Sequence, residues 1–418
     1  MTNPPTTNRQ AAWEVTARLQ SKNFEAYWAG GCVRDQLLRV EPKDYDVATN
    51  AKPHEIRALF PRSQSVGAAF GVVIAHVHGH TIEVATFRTD GVYSDGRRPD
   101  SIQFATAKDD AQRRDFTING MFFNPINGEL VDYVGGQKDV SQKLIRAIGD
   151  PHARFGEDHL RMMRAIRFAA RFGFDIESAT FAAIRNQHEK IKLISRERIG
   201  LELKGILATA HRVRGMALLA KSGLLSDIWP DELSIASHPD TPDVPSALRE
   251  GWLANLPPIA AFEIALAALV HDLSRDGGLT REFWPRLQSH LMLSNDEIGA
   301  AAWINRHMED LQRWCELSRS ELKRMMSNAR FPLLKELFFC VHDDAYLQAH
   351  LADLQAEGVR PEPFVTGEDL ISLGATPGPG FKQWLNILYD MQLANEFADK
   401  KEALTHARAL VESSPHQP

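Results

Sequence analysis

The stretch that decides the reading is Gly30-Gly31-Cys32-Val33-Arg34-Asp35-Gln36-Leu37-Leu38, followed closely by Asp44-Tyr45-Asp46-Val47-Ala48-Thr49. Ala26 to Ala29, just before it, reads as a short strand, and Tyr45 to Ala48 reads as another. The paired Gly30 and Gly31 make a turn whose backbone N–H groups can approach a triphosphate. The helix expected from about Val33 points its positive end at the same place. Side chains at i and i+2 of a strand share a face, so Asp44 and Asp46 are expected to converge. Two carboxylates about 5 Å apart repel by roughly 3 kcal/mol at an effective dielectric near 20, so their convergence asks for a cation. Oxygen-only ligands suit Mg²⁺, which keeps positions open for water and phosphate oxygens. Glu83, on the otherwise apolar Ile82-Glu83-Val84-Ala85, is placed to supply a third carboxylate from a neighbouring strand. A lone Asp-x-Asp is common by chance, and its closeness to the Gly-Gly-x-x-Arg-Asp turn makes it specific.

Working outward, Gly71 to Val77 and Thr81 to Phe87 read as strands of a hairpin across Gly79. Helices are expected around Trp13 to Leu19 and from Pro53 to Phe60, with Pro53 suited to a first turn. After Asp150 the strand pattern ends. Helical periodicity runs from Glu157 to Phe172, Ser178 to His188 and Arg198 to Leu207, and proline-rich breaks fall at Trp229 to Pro245 and Gly358 to Phe364. An α+β head followed by an all-helical remainder is the expected architecture. The 418-residue length agrees with two or three domains. Hydrophobic residues at 44% and charged residues at 24% exclude a mostly disordered chain.

No apolar run approaches the ~18 residues of a membrane span, and Met1 to Gln10 lacks the pattern of an export signal. Cys32, Cys315 and Cys340 are too few and too far apart for a disulfide framework or a CxxC zinc site. These features point to the cytoplasm and away from membranes. With a formal net charge of −6, any binding of RNA must rely on basic residues gathered locally.

Such a gathering is visible between Glu157 and Phe172. At 100° per residue, Arg161, Arg164, Arg167 and Arg171 fall within an arc of about 120° on one helix face. Met163, Ile166 and Ala170 occupy the other face, and Asp158 lies one turn before Arg161. Asp only accepts hydrogen bonds and Arg only donates them. A base satisfied by both offers an amino group beside a ring-nitrogen acceptor, as cytosine and adenine do, whereas uracil and guanine present the opposite pattern. By analogy with bidentate base readout, each correct pairing is worth about 1–3 kcal/mol. The remaining arginines, Arg164 and Arg167 among them, are expected to meet a triphosphate.

Together these residues resemble the polymerase-β-like nucleotidyltransferases, and within them the bacterial tRNA nucleotidyltransferase/poly(A) polymerase family (class II CCA-adding enzymes). The resemblance rests on GGxVRDxLL at Gly30 to Leu38, DxDxxT at Asp44 to Thr49 and RRDFTxN at Arg113 to Asn119. It continues in EDxxRxxRAxRF at Glu157 to Phe168 and ERIxxELxxIL at Glu197 to Leu207. It implies an α+β polymerase-β-like nucleotidyltransferase head over residues 1–148, a helical neck for nucleotide selection over 149–228 and a helical body and tail holding RNA over 229–418. It assigns Asp44 and Asp46 to Mg²⁺ and Glu83 to the third acidic position. Gly31, Arg34 and Arg114, beside the Gly30 turn, would contact the nucleotide, with Asp115 and Asn119 near the ribose. Asp158 and Arg161 would select the base. The implied reaction adds C, C and A, from CTP and ATP, to the 3′ end of a tRNA held by its acceptor arm, releasing pyrophosphate. Asp150 and Arg154 resemble a pair linking head and neck. Arg39-Val40 departs from the family, which commonly has a glycine after the leucines.

Other readings remain open. Phe87 to Pro99 resembles the flexible loop kept by complete CCA-adding and A-adding enzymes, which argues against addition of C alone. Poly(A) polymerase is the rival within the family. Those enzymes tend to be basic before the third acid, whereas Val66 to Gly71 has no basic residue. His271-Asp272 suggests an HD phosphohydrolase, with only His238, His290 and His307 as loose further ligands, and a capping or buried His–Asp pair is favoured. A non-catalytic RNA-binding protein would not need converging acids, which repel phosphate. Thr366 to Leu370 and Pro377 to Gly380 could meet RNA phosphates, although helix caps and connectors account for them more simply.

Overall fold

The computed structural model describes residues 7–65, 71–91, 101–229, 246–274 and 282–413. Helix α1 (Asn8–Gln20) is capped by the Thr7 hydroxyl and buries Ala11, Ala12, Val15 and Leu19 against the head sheet. The chain then forms β1 (Ala26–Ala29), α2 (Gly31–Leu37), β2 (Asp46–Thr49) and α3 (Pro53–Leu59). Next come β3 (Ser63–Ser65), β4 (Val72–Val77), β5 (His80–Thr86), β6 (Arg88–Asp90) and β7 (Ile102–Phe104). Helix α4 (Ala107–Gln112), strands β8 (Met121–Phe123) and β9 (Leu130–Asp132), helix α5 (Gly136–Ser141) and β10 (Leu144–Ile145) complete the α+β part.

Seven strands form one mixed sheet in the order β3-β4-β5-β2-β1-β8-β9. Only β2 and β5 pair in parallel within it. Alternation sets the faces: Val73, Ala75, Val77, Ile82 and Val84 are buried, while Glu83 between two of them points outward. His78 (φ 48°) and Gly79 (φ 84°) both take the left-handed conformation that a two-residue hairpin turn requires. The expected hairpin is therefore present. Trp28 anchors the core edge-on to Tyr45, with ring centres 4.7 Å apart.

Among the described residues, the second half is helical with one exception. Helices α6 (Pro151–Glu157) and α7 (Arg161–Phe172) precede a two-residue strand, β11 (Asp175–Ile176), which pairs in parallel with β10. Strand structure thus reaches past Asp150, where the sequence shows none, because an edge this short carries no periodicity. Helices α8 (Ser178–Gln187), α9 (Arg196–Leu207), α10 (Arg212–Ser222) and α11 (Leu224–Ile228) follow. Beyond them lie α12 (Ser246–Glu250), α13 (Trp252–Asn255), α14 (Phe262–Leu273), α15 (Phe283–Leu291) and α16 (Asn295–Gln312). The chain ends with α17 (Arg319–Met326), α18 (Phe331–Val341), α19 (Ala345–Glu357), α20 (Gly367–Ser372), α21 (Pro379–Leu393) and α22 (Lys400–Ser413).

Contacts divide the chain into two units. One holds residues up to Arg249 together with Leu273–Leu293, and the other holds Glu250–Asp272 and Ser294–Pro418. Among the described residues, no helix is long and apolar enough to cross a membrane.

Two local expectations are corrected. Glu157 to Phe172 is not one helix: α6 ends at Glu157, Asp158 is extended (φ −138°, ψ 106°), and α7 begins at Arg161. The Asp158 carboxylate accepts from the Leu160 backbone N–H (3.1 Å), a local bond that competes with helix continuation. Asp44 precedes β2 rather than lying on it, so the same-face argument does not position it. The departure at Arg39 has a conformational meaning. Arg39 takes φ 58° and closes α2 in a Schellman pattern, with Arg39 N–H on the Gln36 carbonyl (3.0 Å) and Val40 N–H on that of Asp35 (2.9 Å). An arginine occupies a position that favours glycine.

Candidate active site

The turn between β1 and α2 forms one wall. Gly30 has φ 71°, and a Cβ there would lie 2.9 Å from Arg114 Nη1, so the missing side chain admits the guanidinium. Arg34, buried on α2, donates from Nε and Nη2 to Asp35 Oδ1 (2.8 and 2.7 Å) and from Nη1 to Asn119 Oδ1 (2.5 Å). Its guanidinium also lies 5.3 and 4.7 Å from the ring centres of Phe168 and Phe172. The second Asp35 oxygen accepts from Arg171 (3.3 Å).

The parallel register Val47↔Val84 puts Asp46 and Glu83 at neighbouring positions of adjacent strands. Both line a cleft of about 200 Å³ with Arg88, Arg113 and Arg114. The Asp46 carboxyl is pushed up to about 6, chiefly by burial and then by the charge of Glu83; Arg114 opposes this and Asp44 adds to it. Asp46 keeps exposed area, yet the cleft walls that crowd it govern its ionisation. Asp44 is exposed and lies outside the cleft walls. Among the described residues, no group of three His, Cys, Asp or Glu side chains is close enough to hold a metal ion unaided. An all-carboxylate edge on which Asp46 is crowded by Glu83 fits a hard divalent cation that draws its other ligands from water and phosphate.

The RRDFTxN stretch builds the opposite wall from the end of α4. Asp115 is almost wholly engaged: Oδ1 accepts from Phe116 N–H (2.8 Å) and Asn119 Nδ2 (3.0 Å), and Oδ2 from Arg164 Nε (2.9 Å) and Nη2 (2.6 Å). Burial alone would raise its ionisation, but Arg164, Asn119 and Arg161 hold it down at about 2. Arg154 spans from α6 to the head, donating to the Ile148 (3.1 Å), Gln112 (3.0 Å) and Arg113 (3.3 Å) carbonyls, while Asp150 caps α6 at His152 N–H (3.1 Å).

Asp158 and Arg161 reach the same cavity, but each is braced by a third residue rather than by the other. Asp158 Oδ2 accepts from Arg198 Nη2 (2.9 Å), and Arg161 Nη1 donates to Glu157 (2.5 Å) and to the Arg154 carbonyl (3.0 Å). The cavity measures about 460 Å³ and is lined by Gly30, Gly31, Arg34, Asp46, Arg113, Arg114, Asp115, Asn119, Asp158, Leu160, Arg161, Arg164, Phe168 and Arg198. Six arginines against three aspartates make it locally basic in a chain of net charge −6. Arg167 is not on this wall; its Nε donates to Glu202 on α9 (2.6 Å), in space left by Gly205.

Sequence reasoning overlooked Arg113, Leu160, Phe168 and Arg198 as lining residues. Arg113 and Arg198 stood inside quoted motifs. That Arg198 meets Asp158 depends on how α9 packs against α7, which one sequence does not display.

The features outside the cavity take structural roles. Asp272 accepts from the Trp252 and Leu253 backbone N–H groups (2.8 and 2.9 Å), and His271 lies flat on the Trp252 ring. The pair caps α13, and no metal-holding group exists among the described residues. Thr366 and Asp369 form a capping box on α20, and Gly378 caps α21. His238, Val66 to Phe70, Val92 to Pro99 and Pro230 to Pro245 lie outside the described residues.

A family profile described as "Poly A polymerase head domain" matches residues 26–146, and one described as "Probable RNA and SrmB- binding site of polymerase A" matches residues 173–232. The CCA-adding enzyme of Geobacillus thermodenitrificans is 32% identical over 412 residues, covering 94% of this chain and 95% of that one. The chain belongs to the CCA-adding enzyme family. Another member, from Lacticaseibacillus paracasei, is 30% identical and covers 94% of each chain. A solved CCA-adding enzyme of Bacillus stearothermophilus, in complex with CTP, superposes with TM-score 0.76 at 27% identity, covering 98% of this chain and all of its own. Like the rest of the CCA-adding enzyme family, the chain is a nucleotidyltransferase, and that class works with a divalent metal ion.

Proposed function

We propose that this chain extends the 3′ end of tRNA by C, C and A, consuming CTP and ATP and releasing pyrophosphate. The observation that carries the reading is the convergence of Asp158 and Arg161, a base-edge acceptor and donor, on the cavity that also holds the Gly30-Gly31 turn and Asp46. Asp46, with Glu83 beside it and Asp44 near, would hold Mg²⁺. When bound, the ion supplies Lewis acidity at the RNA 3′-hydroxyl and the phosphate oxygens.

The chain's own groups do the rest. The Gly30 and Gly31 backbone and the guanidinium groups of Arg34, Arg114 and Arg164 meet the triphosphate and offset its charge. Asp115 and Asn119 lie at the ribose. Asp158 and Arg161 satisfy cytosine and adenine and leave uracil and guanine with opposed donors and acceptors. Arg167 would reach a phosphate only by leaving Glu202. Residues 1–148 act as the head, 149–228 as the neck and 229–418 as the part that holds the acceptor arm, with the reaction in the cytoplasm.

The test supplies Mg²⁺ or Mn²⁺ and each nucleotide, alone and mixed, to tRNA transcripts ending before CCA or after CC, beside an unrelated RNA. Addition of C, C and A to the first transcript, with the unrelated RNA untouched, is the expected result. Addition of A only, to the CC-ended tRNA, would mean shared labour with a second enzyme. Long A tails on any RNA would establish poly(A) polymerase, the rival within the family.

A further inference from the structure

Both arginines at the start of RRDFTxN depend on one carboxylate outside the cavity. Asp110, on α4, is 1% exposed. Its Oδ1 accepts from Arg113 Nε (2.9 Å) and Nη2 (2.7 Å), and its Oδ2 from Arg114 Nε (3.1 Å) and Nη2 (2.9 Å). Each oxygen is thus held by two N–H groups of a different guanidinium, and both arginines are fixed in plane and direction. Arg114 is left with Nη1 facing the Gly30 turn and the Asn119 carbonyl (3.5 Å). Arg113 is further steadied by Asp90 at the end of β6 (3.5 Å).

Among the described residues, Arg114 belongs, with Arg113 and Asp46, both to the cavity of Asp158 and Arg161 and to the cleft of Asp46 and Glu83. Left to itself, a long guanidinium side chain beside the two carboxylates of the cleft would fold onto Asp46 or Glu83 and neutralise the metal edge. A buried partner that outcompetes them prevents this.

We propose that Asp110 is the positioning residue for nucleotide binding: its double bidentate grip aims Arg114 at the triphosphate and keeps it off the acidic edge. The inference rests on the proposed nucleotide-transfer reading and deepens it. It concerns the phosphates, which CTP and ATP share, and not the base.

The test is Asp110→Asn, an isosteric change that removes the charge and turns one acceptor into a donor facing a donor. KM for CTP and for ATP is expected to rise together, about tenfold or more, with KM for tRNA and the rejection of UTP unchanged. Binding of inorganic tripolyphosphate, read by calorimetry without chemistry, is expected to weaken by the same factor. Arg114→Lys keeps a positive charge but cannot take the two-toothed grip, and it is expected to give the same signature; adding Asp110→Asn to it is expected to change KM no further. If Asp110→Asn fails to fold, Asp110→Glu serves in the same cycle. An unchanged nucleotide KM with only a smaller active fraction would overturn the proposal, as would effects of the two substitutions that multiply. A wild-type protein that incorporates neither CTP nor ATP would instead overturn the reading on which it rests.

Discussion

Two edges of one cavity treat the same residue type in opposite ways. On the strand edge, Asp46 is raised to about 6 by burial and by Glu83. On the helical wall, Asp115 is held at about 2 despite deeper burial, because Arg164 and Asn119 already occupy its oxygens. A carboxylate that is strained without a partner awaits one from outside, whereas a carboxylate already paired is part of the wall. The difference separates ligand-seeking acids from structural acids within one cavity.

The largest effect expected is on the strand edge. Asp46→Asn should lower nucleotide incorporation by about three orders of magnitude, since metal stabilisation is worth several kcal/mol. It should at the same time make the metal-free protein slightly more stable at pH 7. The sign follows from the raised value. The folded state binds the Asp46 proton more tightly than the unfolded state, so the wild type is penalised above pH 6 and the penalty fades as pH falls toward 3.8. Thermal melts at pH 7 and pH 4 check this: the stability gap should shrink at the lower pH, and a wild type more stable at pH 7 would break the comparison. The same proton should compete with the cation, so divalent-ion affinity of the wild type should fall about tenfold per pH unit below 6.

On the helical wall the signs reverse. Arg161→Ala should cost roughly 10- to 100-fold in discrimination against UTP, equivalent to about 1–3 kcal/mol, with incorporation of CTP reduced less. Misincorporation assays with single nucleotides read it. Asp115→Asn should destabilise the fold by about 2 kcal/mol at neutral pH, because Arg164 loses its charged partner. Here the folded value is depressed, so the stabilisation is present above about pH 4 and is lost as pH falls through about 2. Acid-unfolding midpoints of the two proteins should converge there. The smallest effect lies away from both edges. Arg39→Gly should raise the unfolding free energy read from denaturant titration by about 1 kcal/mol or less, by relieving a left-handed arginine at the end of α2.

The strand edge was the more legible of the two. Alternation in Ile82-Glu83-Val84 exposes the acid by parity alone, and the glycine turn announces its own conformation. The helical wall was legible as chemistry but not as geometry. Asp158 and Arg161 carry complementary hydrogen-bonding character wherever they lie, yet the break of the helix at Asp158 depends on a side-chain bond to Leu160 that periodicity cannot reveal. Arg167 shares the arginine stripe with Arg164 and still leaves the wall, because Glu202 of α9 claims it.

What the sequence by itself determined is the inventory: a glycine turn, an acid exposed by strand parity at Glu83, a dense arginine supply and a helical remainder, each readable because it follows from local chain geometry. What only the tertiary structure decided is which charges are spent on one another. Asp158 and Arg198 read as unrelated charges 40 residues apart until the packing of α9 against α7 brings them together. Ion pairs between residues far apart in the chain depend on which elements meet, and that meeting is set by burial of their apolar faces and not by the charged residues themselves.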